Sequence, residues 1–406
     1  MIKISFLGDI MCEGPFLNAA HEKDGTYDFS TAFSGIGDLL ADSDYVIGNL
    51  ETPLSGEKLG YTNTEDLYSF NSPIEFAQAV KHMGVDLVST ANNHCCDRGI
   101  KGLTETLHIL DQIGLKHTGT YMSEKDANPF YFKISGITFA VIACTSSTNA
   151  EITQVKADLN NVNLLNVQSI AITNHNDRSI KRFKYFIVND LIGIKKYMKL
   201  RKLLGKTPLN PEVDNSINPE QVDKYIDRII AQICEAKTKA DIVFLYPHMG
   251  GQFNPVPGYF SEYVIQKFAK TDVDAIICSH PHIIQKFEIN NNKPCFFSIG
   301  NVSMSMETEY IIRDNLPDYG LIVHFYIDEN KIEKVTCSII KILEDNSGYI
   351  RVVSVSDLFK NASEKEKKSL IADINHVEKL LKLNETNKIN INSRETDLII
   401  YTKGEI

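Results

Sequence analysis

Two histidines, His280 and His282, stand one residue apart in the stretch CSHPHIIQKFE, where an apolar run closes. In an extended chain, residues i and i+2 project to one side. The pair is therefore expected to converge on one place, and imidazoles are frequent metal ligands. Similar polar clusters close other apolar runs. Asp9 follows IKISFLG, Glu51 follows DYVIGNL, Asn93 and His94 follow VDLVSTAN, and His248 follows ADIVFLYP. Carboxylate, imidazole and amide donors together suit a divalent ion such as Mn, Fe or Zn, not a structural thiolate zinc site. The set exceeds what one ion needs. It is about right for two ions that share a carboxylate, the arrangement that clamps both oxygens of a phosphoryl displacement.

These residues need a scaffold that gathers strand ends. The runs that carry them read as short buried strands, and helical patterns lie between several of them. SPIEFAQAVKHMG is expected to start a helix with Ser72 as N-cap and Pro73 in the first turn, ending near Gly84. RGIKGLTETLHILDQIG spaces Leu103, Leu107 and Leu110 as a helix that stops near Gly114. Residues 219–236 form a third amphipathic pattern. Continuous apolar strands alternating with helices imply an α/β sheet covered on both faces. Ligands of such sheets sit beyond the carboxyl ends of the strands, where the polar clusters fall.

Residues 146–185 break this rhythm with an Asn-rich polar insertion. The runs YGLIVHFYID and KIEKVTCSIIKIL read as a hairpin around a Glu-Asn turn. A Lys-rich helix is expected over roughly 356–383, followed by a polar tail. We therefore expect a main domain over 1–345 and a C-terminal extension of strand, helix and tail over 346–406.

Composition narrows the function. The 406 residues are 43% hydrophobic and 23% charged, with a net charge of −10, an ordinary globular balance. That charge argues against a general nucleic-acid binder. An anionic substrate would need local positive charge, such as a metal ion. The eight cysteines form neither a zinc ribbon nor a disulfide framework, and are expected to be buried thiols in a reducing compartment. No run is apolar for long enough to span a membrane. A cytoplasmic protein, membrane-recruited if at all, is expected.

The motifs FLGDIM, GNLETPLS, STANNHCCDRGIKGLTETLHIL, LYPHMGG, CSHPHIIQKFE and FFSIGN occur in this order. Together they resemble the bacterial capsule and poly-γ-glutamate synthesis proteins of the CapA type, a branch of the calcineurin-like metallophosphoesterases. The resemblance spans roughly 1–145 and 220–302. It implies a four-layer sandwich, two central β-sheets flanked by helices. It also implies Asp9 and His282 as ligands of a first metal, Asn93, His248 and His280 as ligands of a second, and Glu51 as the bridge. His94 would act on the leaving group. Met11 stands where such enzymes usually carry a histidine, which takes one ligand from the first metal.

The function expected is therefore metal-dependent hydrolysis, of a phosphoester or another bond in polymer synthesis. An anionic or phosphorylated polymer precursor and polymer synthase subunits are the expected partners. A non-catalytic assembly or binding subunit with a weakened metal site is the first rival, and a phosphatase of general metabolism the second. Asp97 and Arg98 read as the start of a helix, Asn49 and Asn92 as turn residues. The adjacent Cys95 and Cys96 read as packing. The basic, aromatic stretch 182–202 reads as a solvated helix face, with docking of an anionic polymer or membrane as the sharper alternative.

Overall fold

Strand β1 (Ile2–Ile10) is buried along its whole length. Its Ile2, Ile4 and Phe6 belong to one hydrophobic cluster, its Leu7 and Ile10 to another. Such a strand must be covered on both faces. The computed structural model describes residues 1–63, 68–123, 129–168, 214, 218–308, 311–383 and 388–400. The other strands, in chain order, are β2 (Tyr45–Leu50), β3 (Leu87–Ser89), β4 (Lys116–Thr118), β5 (Phe130–Ile134), β6 (Ile137–Thr145), β7 (Ile242–His248) and β8 (Ala275–Ile277). They continue with β9 (Phe287–Asn290), β10 (Lys293–Phe296), β11 (Asn301–Ser303), β12 (Tyr319–Asp328), β13 (Lys331–Glu344), β14 (Ile350–Ser354) and β15 (Thr396–Ile400).

The strands build two sheets. One runs β14-β13-β12-β1-β2-β3-β4, with β11 beside β1 and β15 beside β13. The other runs β5-β6-β7-β8-β10-β9. Strands β1 to β4 are mutually parallel, as are β6, β7, β8 and β10. The sheets share an inner core in which Phe6 of β1 meets Phe244 and Tyr246 of β7 edge to face, at 5.1 and 5.6 Å. Burying each such ring is worth roughly 1.5–3 kcal/mol. Helices Gly14–Ala19 and Ile74–His82 pack Phe16 and Phe76 on the outer face of the first sheet. Helices Pro219–Lys237 and Tyr259–Ala269 cover the second with Ile226, Ile229, Val264 and Phe268. This is the expected four-layer α/β sandwich of metallophosphoesterase type.

Several local expectations hold. Helix Gly99–Ile113 ends on Gly114 at φ +68°, a left-handed cap that favours glycine. Glu329 and Asn330, at φ +47° and +63°, turn β12 into β13. Others are corrected. The helix at 74 is capped by Pro73 without a side-chain bond, because the Ser72 hydroxyl instead meets that of Thr52 at 2.7 Å. The Lys-rich helix is two helices, Val355–Asn361 and Glu364–Leu381. Ser363 breaks it, and its reciprocal bonds with Glu366 form a capping box that starts the second helix.

The first half of the polar insertion is packed against the second sheet. Thr145 exchanges backbone bonds with Asn163 and Leu165 of this segment, and Asn163 Nδ2 donates to the Ala143 carbonyl at 2.9 Å. Asparagine side chains here satisfy buried backbone groups in the absence of any periodic pattern. Residues 169–185 of the insertion, and the basic stretch 182–202, lie outside the described residues. Among the described residues, no helix is long and apolar enough to cross a membrane.

Candidate functional site

The carboxyl ends of β1, β2, β3, β7 and β8 meet at one edge of the sandwich. Asp9 sits where the register of β1 shifts against both β2 and β11. Such irregularities re-aim a side chain beside active sites. Gly8 makes this approach feasible: a Cβ there would lie 1.9 Å from the Gly300 carbonyl oxygen. Glu51 follows β2, and its backbone N–H donates to the Ile10 carbonyl of β1 at 2.9 Å. Asn93 and His94 lie in the turns after β3, and His248 ends β7.

His280 and His282 depart from the expected extended pair. β8 ends at Ile277, and φ is +105° at His280 and +57° at His282. Left-handed backbone at such residues costs roughly 1–3 kcal/mol each and clusters at functional sites. The His280 N–H donates to Asp9 Oδ2 at 3.0 Å, which fixes the loop to β1. The two rings stand 5.8 Å apart, tilted at 55°.

Their donor atoms fall into two groups. Asp9, Glu51 and His282 offer atoms within 4.8 Å of one another, as do Glu51, His248 and His280. Glu51 is common to both. Asn93 Oδ1 lies 2.7 Å from His248 Nε2, beside the second group. Six of the seven residues named from the sequence are thus gathered at one place, and His94, next to Asn93 in the chain, is close enough to act electrostatically on His248 and His280.

The electrostatics suit a cation. Burial and the neighbouring Asp9 charge push the Glu51 carboxyl well above its usual range. Its Oε1 is buried without a hydrogen-bond partner, a costly arrangement unless a cation completes it. Burial drives His248 down to about 3 and His280 well below 6.5, so both favour the neutral imidazole that can act as a metal ligand. Burial opposes ionisation of Asp9, but the hydrogen bonds from His282 and Asn49 and the electrostatic interactions with the neighbouring imidazoles hold its carboxyl below the usual range. His282 Nδ1 lies 3.0 Å from Asn301 Oδ1, and Asn301 Nδ2 donates back to the His282 carbonyl at 2.9 Å. These bonds orient the ring, with Nδ1 also 3.3 Å from Asp9 Oδ2 and Nε2 3.6 Å from Glu51 Oε1. The donors therefore fit one or two divalent ions.

Three supporting residues escaped the sequence reading. Asn49 Nδ2 donates to Asp9 Oδ1 at 2.8 Å, and Asn92 Nδ2 donates to Asn49 Oδ1 at 3.1 Å. Both do more than fix turns. Asp97 does not cap the helix that follows it: its Oδ2 lies 2.6 Å from His94 Nδ1 and accepts from the Phe70 N–H at 2.7 Å. The one available signal was the i, i+3 spacing of His94 and Asp97. Met11 is buried in the outer cluster of the first sheet. Cys95 and Cys96 are buried, with sulfurs 3.8 Å apart.

A family model described as bacterial capsule synthesis protein PGA_cap matches residues 3–305. The PGA biosynthesis protein CapA of Bacillus subtilis is 24% identical over 303 residues, 74% of this chain and 63% of that protein. The chain thus spans less than two thirds of that relative's length. The capsule biosynthesis protein CapA of Bacillus anthracis is 23% identical over 357 residues, 84% of this chain and 71% of that protein. A hypothetical protein from Thermus thermophilus aligns over 87% of this chain and 99% of its own with a TM-score of 0.39 and 11% identity, too slight a likeness to bear on function. With its model matched over three quarters of the sequence, the chain belongs to the bacterial capsule synthesis protein family PGA_cap.

Proposed function

We propose that the protein serves capsule or exopolymer synthesis of the poly-γ-glutamate kind as a metal-dependent hydrolase. Its bond would be a phosphoester or another bond of the polymer pathway. The observation that carries this reading is Glu51: one buried carboxylate common to two donor groups, with an oxygen that has imidazole nitrogens around it and no hydrogen-bond partner. Asp9, Glu51 and His282 would hold one divalent ion, and Glu51, Asn93, His248 and His280 another, with Mn, Fe or Zn as candidates. Bound divalent ions would supply a water nucleophile at neutral pH and offset phosphoryl charge.

The chain's own residues do the rest. Asp97 accepts from His94 Nδ1, which presents Nε2 to the leaving oxygen as the proton donor. Asn49 and Asn301 fix Asp9 and His282. The partners in this reading are an anionic or phosphorylated polymer precursor and subunits of a polymer synthase. The unpaired cysteines support work in a reducing, cytoplasmic setting.

A second reading is an assembly or binding subunit without chemistry. The observation that favours it is Met11 inside the apolar cluster, which leaves the first group with three side chains. One experiment separates the two. Protein loaded with Mn, Fe or Zn is assayed for metal content and for hydrolysis of mono- and diester nitrophenyl phosphates, beside His94→Ala. Bound metal with activity lost in His94→Ala supports the hydrolase. Absence of bound metal after loading sinks it and leaves the assembly subunit.

A further inference from the structure

The two donor groups are unequal. The second has four protein donors, Glu51, Asn93, His248 and His280, whereas the first has three, Asp9, Glu51 and His282. Two residues beyond Asp9, Met11 contributes its side chain to the apolar cluster and not to the site. The loop after β7 brings one more polar group. Gln252 places its amide 3.4 Å from His282 Nε2, the ring edge that also faces Glu51 Oε1 at 3.6 Å. The opposite ring nitrogen lies 3.0 Å from Asn301 Oδ1 and 3.3 Å from Asp9 Oδ2.

This loop is held in place. Met249 N–H donates to the Ser279 carbonyl at 3.0 Å, and Phe253 N–H to the Pro281 carbonyl at 2.8 Å. Gln285 Nε2 donates to the Asn254 carbonyl at 2.6 Å. Gly250, at φ +121°, lies so close to Pro281 that a Cβ would be 3.1 Å from its ring. Residues 249–254 are therefore laced onto the loop that carries His280 and His282, with Gln252 between two fixed points. A half-turn of its terminal amide exchanges nitrogen for oxygen, which ordinary structures do not distinguish.

We propose that the Gln252 amide oxygen is the fourth protein ligand of the ion held by Asp9, Glu51 and His282. The inference rests on the metal reading above. It makes the first site three oxygens and one nitrogen, and leaves the second with two of each. Oxygen-rich sites suit Mn²⁺ better than softer ions. The first site is thus a manganese-type site, completed by a glutamine from the loop after β7.

The test is Mn²⁺ titration of the full chain, following free Mn²⁺ by its paramagnetic resonance and bound metal by elemental analysis. Wild type, Gln252→Ala and Gln252→Glu are compared, with thermal unfolding as the check on folding. Gln252 is only partly buried, in a turn, so its truncation is expected to leave the fold intact. Two ions are expected to bind wild type. Gln252→Ala should weaken one of them by about tenfold or more and leave the other unchanged, and Gln252→Glu should restore or tighten it. Unaltered binding of both ions in Gln252→Ala overturns the inference and leaves the metal reading standing. Wild type that binds no ion overturns both.

Discussion

Oδ2 of Asp97 lies 2.6 Å from Nδ1 of His94, and the Phe70 N–H binds the same oxygen. The Phe70 ring lies over His94 with centroids 4.2 Å apart. The imidazole is therefore fixed in orientation and in tautomer, and it is buried beside the donor groups. Asp97→Asn should lower kcat about a hundredfold, and His94→Ala by about 10²–10⁴. Metal content should change in neither. The double variant should be no slower than His94→Ala, since the two act as a unit. An Asp97→Asn enzyme with wild-type kcat would remove the dyad from the mechanism.

Metal content is the next prediction. About two ions per chain are expected, with His282→Ala and His280→Ala each losing mainly one, because they belong to different groups. Glu51→Gln should weaken both. Elemental analysis after dialysis reads this directly. One ion that is indifferent to His282→Ala would mean that the first group holds nothing.

The approach of β1 to Gly300 can be tested by a single methyl. Gly8→Ala would place Cβ 1.9 Å from a backbone carbonyl that also accepts the Asp9 N–H. Backbone must move, so a loss above about 3 kcal/mol is expected in denaturant unfolding. Gly37→Ala is the control, since nothing lies within 4 Å of its Cβ, and it should stay within about 0.5 kcal/mol. A stable, metal-binding Gly8→Ala protein would show that the contact does not position Asp9.

Stability should also depend on pH through His324, away from the site. Its ring lies between the Ser5 and Ser338 hydroxyls at 2.7 and 2.9 Å, and burial, aided by the Lys3 charge, drives it down to about 3. Below about pH 6.5 the unfolded chain binds a proton that the folded chain refuses. This contribution is complete above pH 6.5 and is lost as pH falls toward 3, at roughly 1.4 kcal/mol per unit. His324→Gln should flatten the fall in unfolding free energy between pH 6.5 and 4.5 by one proton's worth. Parallel slopes for the two proteins would contradict this.

The sequence by itself determined which residues can do the chemistry and that they sit at strand ends. Alternating apolar strands and helices demand a covered sheet, and Asp9, Glu51, Asn93, His94 and His248 each stand where such a strand stops. That much is local, because strand and helix periodicities are written in neighbouring residues. How the donors divide was implied only by the family resemblance, and the tertiary structure supplies the geometry that divides them. The i, i+2 spacing of His280 and His282 suggested one shared direction, yet positive φ at both turns them to different groups. The reach of Asn301 to His282 and of Gln252 across from the other loop spans residues far apart or on separate segments. Asn49 looked like an ordinary turn residue for the same reason, since its partner Asp9 lies on the neighbouring strand of the sheet, 40 residues away. Asp97 looked like a helix start although His94 is only three residues from it, because the fold of the turns after β3 and the approach of the Phe70 N–H decide that bond. No local pattern encodes a hydrogen bond whose other half lies on a distant segment.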